Sequence, residues 1–218
     1  MLKIDLHVHT QYSDGDKINK ILKYATLRGI DGVAITDHNT TKGIKSIKKK
    51  DILIIPGVEI KSEIGHFLIL GVQEETYFKD TSFDEITDYC KENDCVLVFA
   101  HPAISLIIKG RKIIKKLNKH KSSINAIEVF NSLYPMFKIM SRLSLSLAYS
   151  LGDVALVAGS DAHHASSVGK CYTLIDAEEE VDEVLKAIKN KKTIPKGEPS
   201  FLFQRLPIIP LTLKSMLV

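Results

Sequence analysis

Apolar and polar positions along the chain repeat with two different periods. In residues 2–9, Ile4, Leu6 and Val8 point one way and Asp5, His7 and His9 the other, which is the two-residue period of a strand. Residues 16–28 change to helical spacing, with Ile18, Ile21, Leu22 and Ala25 on one face and Gly29 placed as a C-terminal cap. A strand over 32–37, a short lysine-rich helix over 42–50 and strands over 52–60 and 66–72 follow. Ser82 and Glu85, three residues apart, predict a capping box that opens the next helix. The near-continuous apolar run 96–101 suits a strand covered on both faces of a parallel sheet. Beyond it the pattern predicts a basic helix over 104–120, a strand over 126–130, a helix over 135–151 and a strand over 154–159. A last helix over 180–190 carries Val181, Val184, Leu185 and Ile188 on one face.

Strands alternating with helices predict an α/β fold with a mostly parallel sheet. About seven strands fit an irregular barrel better than an open sheet. With no repeat and no low-complexity linker, residues 1–218 are expected to form a single domain, the segment 195–218 packing on the barrel exterior. Composition agrees: 44% hydrophobic, 26% charged and a mean hydropathy of +0.02 suit neither a disordered nor a membrane-embedded chain. The first ten residues read as a strand rather than a signal peptide, and the apolar stretch 206–218 is broken by Pro207, Pro210 and Lys214. Cys90, Cys95 and Cys171 are odd in number and form no C-x-x-C pair, so neither a disulfide framework nor a thiolate zinc site is indicated. A cytoplasmic protein is the expectation. The net charge of +4 and pI near 8.8 favour anionic ligands without singling out nucleic acid.

The candidate chemistry lies at strand ends. Six of the eight histidines, His7, His9, His38, His66, His101 and His163, stand at or beside the C-terminal ends of predicted strands. Asp14, Glu59 and Asp161 occupy the same loops, on the rim where parallel α/β proteins place active sites. Each element taken singly has a structural explanation. His7 and His9 could be interior histidines, Asp37-His38 a helix-capping pair, Glu59 a surface residue after a turn, and Asp161 and His163 loop residues bonding their own backbone. Nine such groups at successive strand ends are not explained by separate coincidences. Imidazole mixed with carboxylate points to zinc, manganese or iron rather than magnesium or calcium.

The chain resembles the PHP family, named for polymerase and histidinol phosphatase domains. The resemblance is carried by Asp5-Leu6-His7-Val8-His9-Thr10 with Ser13-Asp14-Gly15, Thr36-Asp37-His38, Gly57-Val58-Glu59, Gly65-His66, Ala100-His101-Pro102 and Gly159-Ser160-Asp161-Ala162-His163, in the family's order. It implies a distorted barrel of seven β/α units holding two or three divalent ions (Zn, Mn or Fe). One ion would take His7, His9, Glu59 and Asp161; a second would share Glu59 and use His66 and His101; a third would take Asp14, His38 and His163. Asp5 and Asp37 are expected to orient ligand imidazoles, and Glu128 and Asn131 match a pattern in a sixth strand near the site. The implied reaction is phosphoester hydrolysis by a metal-activated water, with His7, His9, Glu59, Asp161 and His163 as catalytic residues. Asp14, where the family often has histidine, leans the substrate toward a nucleotide or short oligonucleotide. Against that, only residues 73–95 separate two core strands, so the helical insertion that nucleotide-hydrolysing relatives often carry is missing or minimal. The alternatives are a small-metabolite phosphatase, such as one for histidinol phosphate, and a non-catalytic metal-binding module.

Other features are given bland readings. The basic segment Lys109, Arg111, Lys112, Lys115, Lys116, Lys119 and Lys121 is taken as an amphipathic helix with a solvated face rather than a track for stable nucleic-acid binding. Lys48-Lys49-Lys50 is taken as a solvated helix end, and His120 and His164 are assigned no role.

Overall fold

The computed structural model describes residues 1–47, 51–72, 78, 80–110 and 112–201. Its strands are β1 (Leu2–Val8), β2 (Gly32–Ile35), β3 (Leu53–Lys61), β4 (His66–Leu70), β5 (Val96–Phe99), β6 (Ala126–Asn131), β7 (Ala155–Gly159), β8 (Cys171–Ile175) and β9 (Thr193–Gly197). They form one sheet in the order β7-β6-β5-β4-β3-β2-β1-β8-β9. The helices are α1 (Ile18–Leu27), α2 (Lys42–Lys45), α3 (Phe83–Glu92), α4 (Pro102–Lys109), α5 (Lys112–Lys119), α6 (Phe137–Leu151) and α7 (Val181–Lys189). The α/β architecture expected from the pattern is present, and the sheet curls into a nearly closed barrel. Past β7, His9 N donates to Ala162 O (3.1 Å) and Ala162 N to His7 O (3.3 Å), so the upper halves of β1 and β7 meet directly. Lower down, where β8 pairs antiparallel with β1 over Leu2–Ile4, β8 and β9 fill the gap between β1 and β7.

Three features depart from the expected pattern. The sheet has two strands beyond those anticipated, β8 and β9, and both run antiparallel to their neighbours. β4 is also antiparallel, forming a hairpin with β3 through residues 62–65. And strict alternation fails within β1, whose register against β2 shifts between Asp5 and Val8. Ile4 and Leu6 join the interior of the barrel, whereas Val8 joins the cluster beneath α1. A bulge of this kind re-aims the side chains beyond it, and here those are His7 and His9.

Local chemistry accounts for most element boundaries. The capping box is formed: Ser82 Oγ accepts from Glu85 N (3.3 Å) and Glu85 Oε2 from Ser82 N (2.7 Å). The helix expected over 104–120 is split in two at Gly110, which sits at φ +62° where a glycine is favoured. Lys116 and Lys119 of α5 pair with Asp84 of α3, and Lys116 also with Glu63, so part of the basic face is neutralised by surface carboxylates rather than left open. His120 likewise meets Asp84 at 2.8 Å. Of the segment 195–218 assigned to the barrel exterior, residues 195–197 instead belong to β9 and pair with β8, Ser200 is buried against Ser132 (Oγ–Oγ 2.7 Å), and 202–218 lie outside the described residues. Lys48-Lys49-Lys50, Arg111 and residues 73–77 lie outside them too. No helix among the described residues is long and apolar enough to cross a membrane.

The barrel interior is layered. Ile4, Leu6, Ile55, Leu68, Val98 and Val157 fill the middle, and Val184, Leu185 and Ile188 of α7 pack against them as a floor. An apolar plug at one end leaves the other end for polar side chains. Replacing Ile188, which is fully buried, with alanine is expected to cost about 2–5 kcal/mol, read as a lower denaturation midpoint at unchanged slope.

Candidate metal centre

All nine side chains singled out above meet at the open end of the barrel. β1 delivers His7 and His9, and the loop after it Asp14. The segment after β2 delivers His38, held beside β3 by a bridge to Glu59. β3 supplies Glu59 and His101 stands two residues past the end of β5, while Asp161 and His163 follow β7. His66 reaches the same rim for a different reason from the one its sequence position suggests. It opens its strand rather than closing it, and the antiparallel direction of β4 carries that beginning to the rim.

Glu59 is the hub. It is 1% exposed, and its two carboxylate oxygens face five imidazoles. Oε2 lies 2.9 Å from His38 Nδ1, 3.4 Å from His9 Nε2 and 3.5 Å from His7 Nε2. Oε1 lies 3.0 Å from both His66 Nδ1 and His101 Nε2. Asp161 Oδ1 approaches His9 Nε2 (3.2 Å), His7 Nε2 (3.5 Å) and His163 Nδ1 (3.6 Å). Asp14 Oδ2 approaches His163 Nε2 (3.2 Å) and His38 Nε2 (3.5 Å). The floor, His7, His9 and Glu59, is sealed, while Asp14 (side chain 48% exposed) and His38 (35%) form the mouth.

These contacts have the chemistry of a cation site. His7 Nδ1 donates to Glu128 Oε1 (3.0 Å), which in a neutral ring leaves the Nε2 lone pair facing His9 Nε2 at 3.1 Å and two carboxylates. Lone pairs aimed at lone pairs repel unless a proton or a metal ion lies between them. His9 Nδ1 and His101 Nδ1 are buried and have no hydrogen-bond partner among the described residues, a cost accepted mainly where ligation is intended. Four overlapping sets have ligand atoms mutually within 4.8 Å: His9, Asp14, His38 and His163; His7, His9 and Glu59; His7, His101 and Asp161; and Glu59, His66 and His101. Ligand atoms bound at about 2.0–2.2 Å stand about 3.0–3.6 Å apart, the range of most of these separations. The donor set fits divalent-metal binding.

Without a metal, the cluster balances its charge with protons. Burial opposes ionisation of Glu59, but the charges of His38, His7 and His66 hold it well below the carboxylate range. Asp161 is held down in the same way by His7, His9 and His163. Burial also opposes charging of His38, yet Glu59 and Asp14 raise its pKa to about 11. His9 goes the other way, lowered to about 3 by burial and by the charges of His163 and His38. Protons are therefore held on some rings and excluded from others, as expected for sites that share charge.

The surrounding contacts correct one expectation. Asp5 and Asp37 touch no ligand imidazole. Asp5 accepts from Ser160 N (2.8 Å), Gly169 N (2.7 Å) and His7 N (3.3 Å), tying β1 to the loops around β7. Asp37 accepts from Thr10 N and Oγ1 (both 2.6 Å) and Ser13 Oγ (2.8 Å), shaping the Asp14 loop. Glu128 is the acceptor placed against the candidate ligands: besides His7 it accepts from His101 N (2.7 Å) and Asn131 Nδ2 (3.0 Å), and Asn131 Nδ2 also reaches Asp161 Oδ2 (3.1 Å). Gly159 makes room for this arrangement, since a Cβ there would stand 2.4 Å from His7 Cβ and 2.8 Å from Glu128 Oε1. His101 (φ +28°) and Asp161 (φ +54°) hold backbone conformations uncommon for non-glycine residues, strain that accompanies functional sites.

A family model described as PHP-associated matches residues 144–193. An uncharacterized protein of Methanocaldococcus jannaschii is 32% identical over 163 residues, 66% of this chain and 90% of its own. The phosphoribosyl 1,2-cyclic phosphate 1,2-diphosphodiesterase of Eggerthella lenta is 36% identical over 81 residues, 32% of this chain and 31% of that one. Among solved structures, a two-domain protein of Bacteroides vulgatus containing a predicted PHP-like metal-dependent phosphoesterase superposes with TM-score 0.70 at 18% identity, covering 90% of this chain and 65% of its own. The lesion-specific endonuclease Q of Pyrococcus furiosus superposes with TM-score 0.64 at 17% identity, covering 90% and 58%. At these identities the two structures establish a common fold.

Two measurements check the centre. Glu128→Gln is expected to weaken divalent-metal binding about 10- to 100-fold, read by titration with manganese or zinc. The pH dependence has a definite sign. His38 binds a proton up to about pH 11 when folded against an ordinary value of 6.5, so a metal ion must displace that proton. Thermal stabilisation by manganese should accordingly be larger at about pH 8 than at about pH 6.

Proposed function

Because the chain belongs to the PHP family, we propose that it is a metal-dependent hydrolase of phosphoester bonds, with a nucleotide or short oligonucleotide as substrate. The observation that carries the proposal is the buried Glu59 carboxylate, facing five imidazoles inside a rim that also gathers Asp14, Asp161 and His163. A cluster sealed at its floor and open at its mouth suits reaction at a small anionic group.

In this reading His7, His9, Glu59 and Asp161 would hold one ion, Glu59, His66 and His101 a second, and Asp14, His38 and His163 a third. Bound divalent ions would supply an activated water as nucleophile and neutralise charge on the phosphoryl oxygens. The chain's own contribution is positioning and charge. Glu128 fixes the ring of His7 and the backbone at His101. His163 Nδ1 donates to Asp161 O (3.0 Å), which turns its Nε2 toward Asp14 at the mouth. No thiol competes as nucleophile: burial pushes Cys90, Cys95 and Cys171 above the usual thiol range. His7, His9, Glu59, Asp161 and His163 are the residues assigned to catalysis.

The substrate class draws support from the likeness in fold to an endonuclease and from the stretch shared with a diphosphodiesterase acting on a phosphoribosyl cyclic phosphate. The second of these also favours a cyclic or small sugar phosphodiester as an alternative. A panel of mononucleotides, 5′-phosphorylated oligonucleotides, phosphoribosyl cyclic phosphates and histidinol phosphate, assayed with manganese and with zinc, separates the two. His9→Ala and Asp161→Ala should each lower turnover of the best substrate at least about a hundredfold and reduce bound metal. Full activity in either variant would remove that residue from the set.

A further inference from the structure

Lys61 lies outside the metal-ligand set, but the strand that holds Glu59 also carries it. On β3 the side chains of Ile55, Glu59 and Lys61 leave one face, because residues two apart in a strand share a side, and Ile55 places that face in the barrel interior. Val58 and Ile60 face the other way, into the cluster under the helices. Lys61 is thus one step nearer solvent than Glu59 on the same wall, and it is exposed. It is also directly opposite His66 across the β3–β4 ladder, and such antiparallel partners project side by side with Cβ atoms about 4.5–5.5 Å apart. A long cationic side chain therefore stands beside a proposed metal ligand at the mouth.

Among the described residues no acidic side chain pairs with it, and both oxygens of nearby Glu63 are engaged elsewhere, Oε1 by Lys116 and Oε2 by Phe83 N (3.0 Å). A second cation joins it instead. Lys109 Nζ donates to Glu63 O (2.7 Å) in the β3–β4 turn, and its pKa is lowered by burial and by the charge of Lys61. Two ammonium groups that repel each other at the edge of an anion-binding site are explained by an anion placed between or beside them.

We propose that Lys61, with Lys109 behind it, binds a second phosphate group of the substrate, next to the phosphoester that is cleaved, and so selects substrates carrying two phosphates over those carrying one. The inference rests on the phosphoesterase reading for its biological meaning, but its test does not require turnover. Propylene bisphosphonate and propyl phosphonate resist hydrolysis and differ by one anionic group. Calorimetric titration of the manganese-loaded protein should show about tenfold tighter binding of the bisphosphonate, the scale of one charge-assisted contact. Lys61→Ala should abolish that preference and Lys61→Arg should keep most of it. Because Lys61 is exposed, both variants are expected to fold, which circular dichroism checks.

A preference that survives Lys61→Ala, or its absence in the wild-type protein, overturns the proposal. So does an equal loss for both ligands, which would mean that Lys61 only draws anions of any kind to the rim. Turnover of a generic phosphoester by the same wild-type preparation reports separately on the hydrolase reading. If turnover is absent and the binding preference is present, that reading fails while the second-phosphate site stands.

Discussion

A fully buried carboxylate surrounded by imidazoles is the constraint on which this structure turns. An isolated anion at the position of Glu59 would carry a desolvation cost of several kcal/mol, and the protein meets it by pointing five histidines at two oxygens. Those histidines come from segments as far apart as residues 7 and 101, so the hub also ties β1, β2, β3, β4 and β5 together at one level. Protons can satisfy the arrangement in the metal-free chain, and divalent ions would satisfy it too, each bringing two charges and accepting several lone pairs at once. Folding and metal binding are therefore expected to be coupled.

The rest of the barrel positions this hub. Its interior is apolar from the α7 floor to the level of Leu6 and Leu68, and polar above. The change occurs within β1, where the register shift lets a strand with Leu6 in the core also aim His7 and His9 at the centre. The β3–β4 hairpin is as important. It brings His66 back to the rim from which Glu59 rises and places Lys61 beside it. An all-parallel barrel would have sent residue 66 to the floor.

A second layer of contacts holds the candidate ligands in place. Glu128 holds a ring and a backbone amide at once, Asn131 links it to Asp161, and Gly159 leaves space for both. Asp5 and Asp37, whose neighbourhood to His7 and His38 in sequence suggests contact with imidazole, bind backbone and hydroxyl donors instead. Asp37 and His38 are adjacent and point in opposite directions on an extended chain, and the register shift after Asp5 turns His7 to the other side of β1, so closeness in sequence is poor evidence of contact, whereas Glu128 and His7, 121 residues apart, share a hydrogen bond.

The chain itself determined the strands β1 to β7, most of the helices, the Ser82–Glu85 cap, the apolar face of the last helix and the roster of nine metal-type side chains, because each depends on local periodicity or on residue type. Tertiary structure decided the rest. The antiparallel course of β4, the pairing of β8 and β9 into the gap between β1 and β7, and the choice of Glu128 rather than Asp5 or Asp37 as the orienting acceptor all follow from closing a sheet on itself. Closure is a long-range condition. It sets which distant side chains share a rim, and a local alternation of apolar and polar residues contains no record of it.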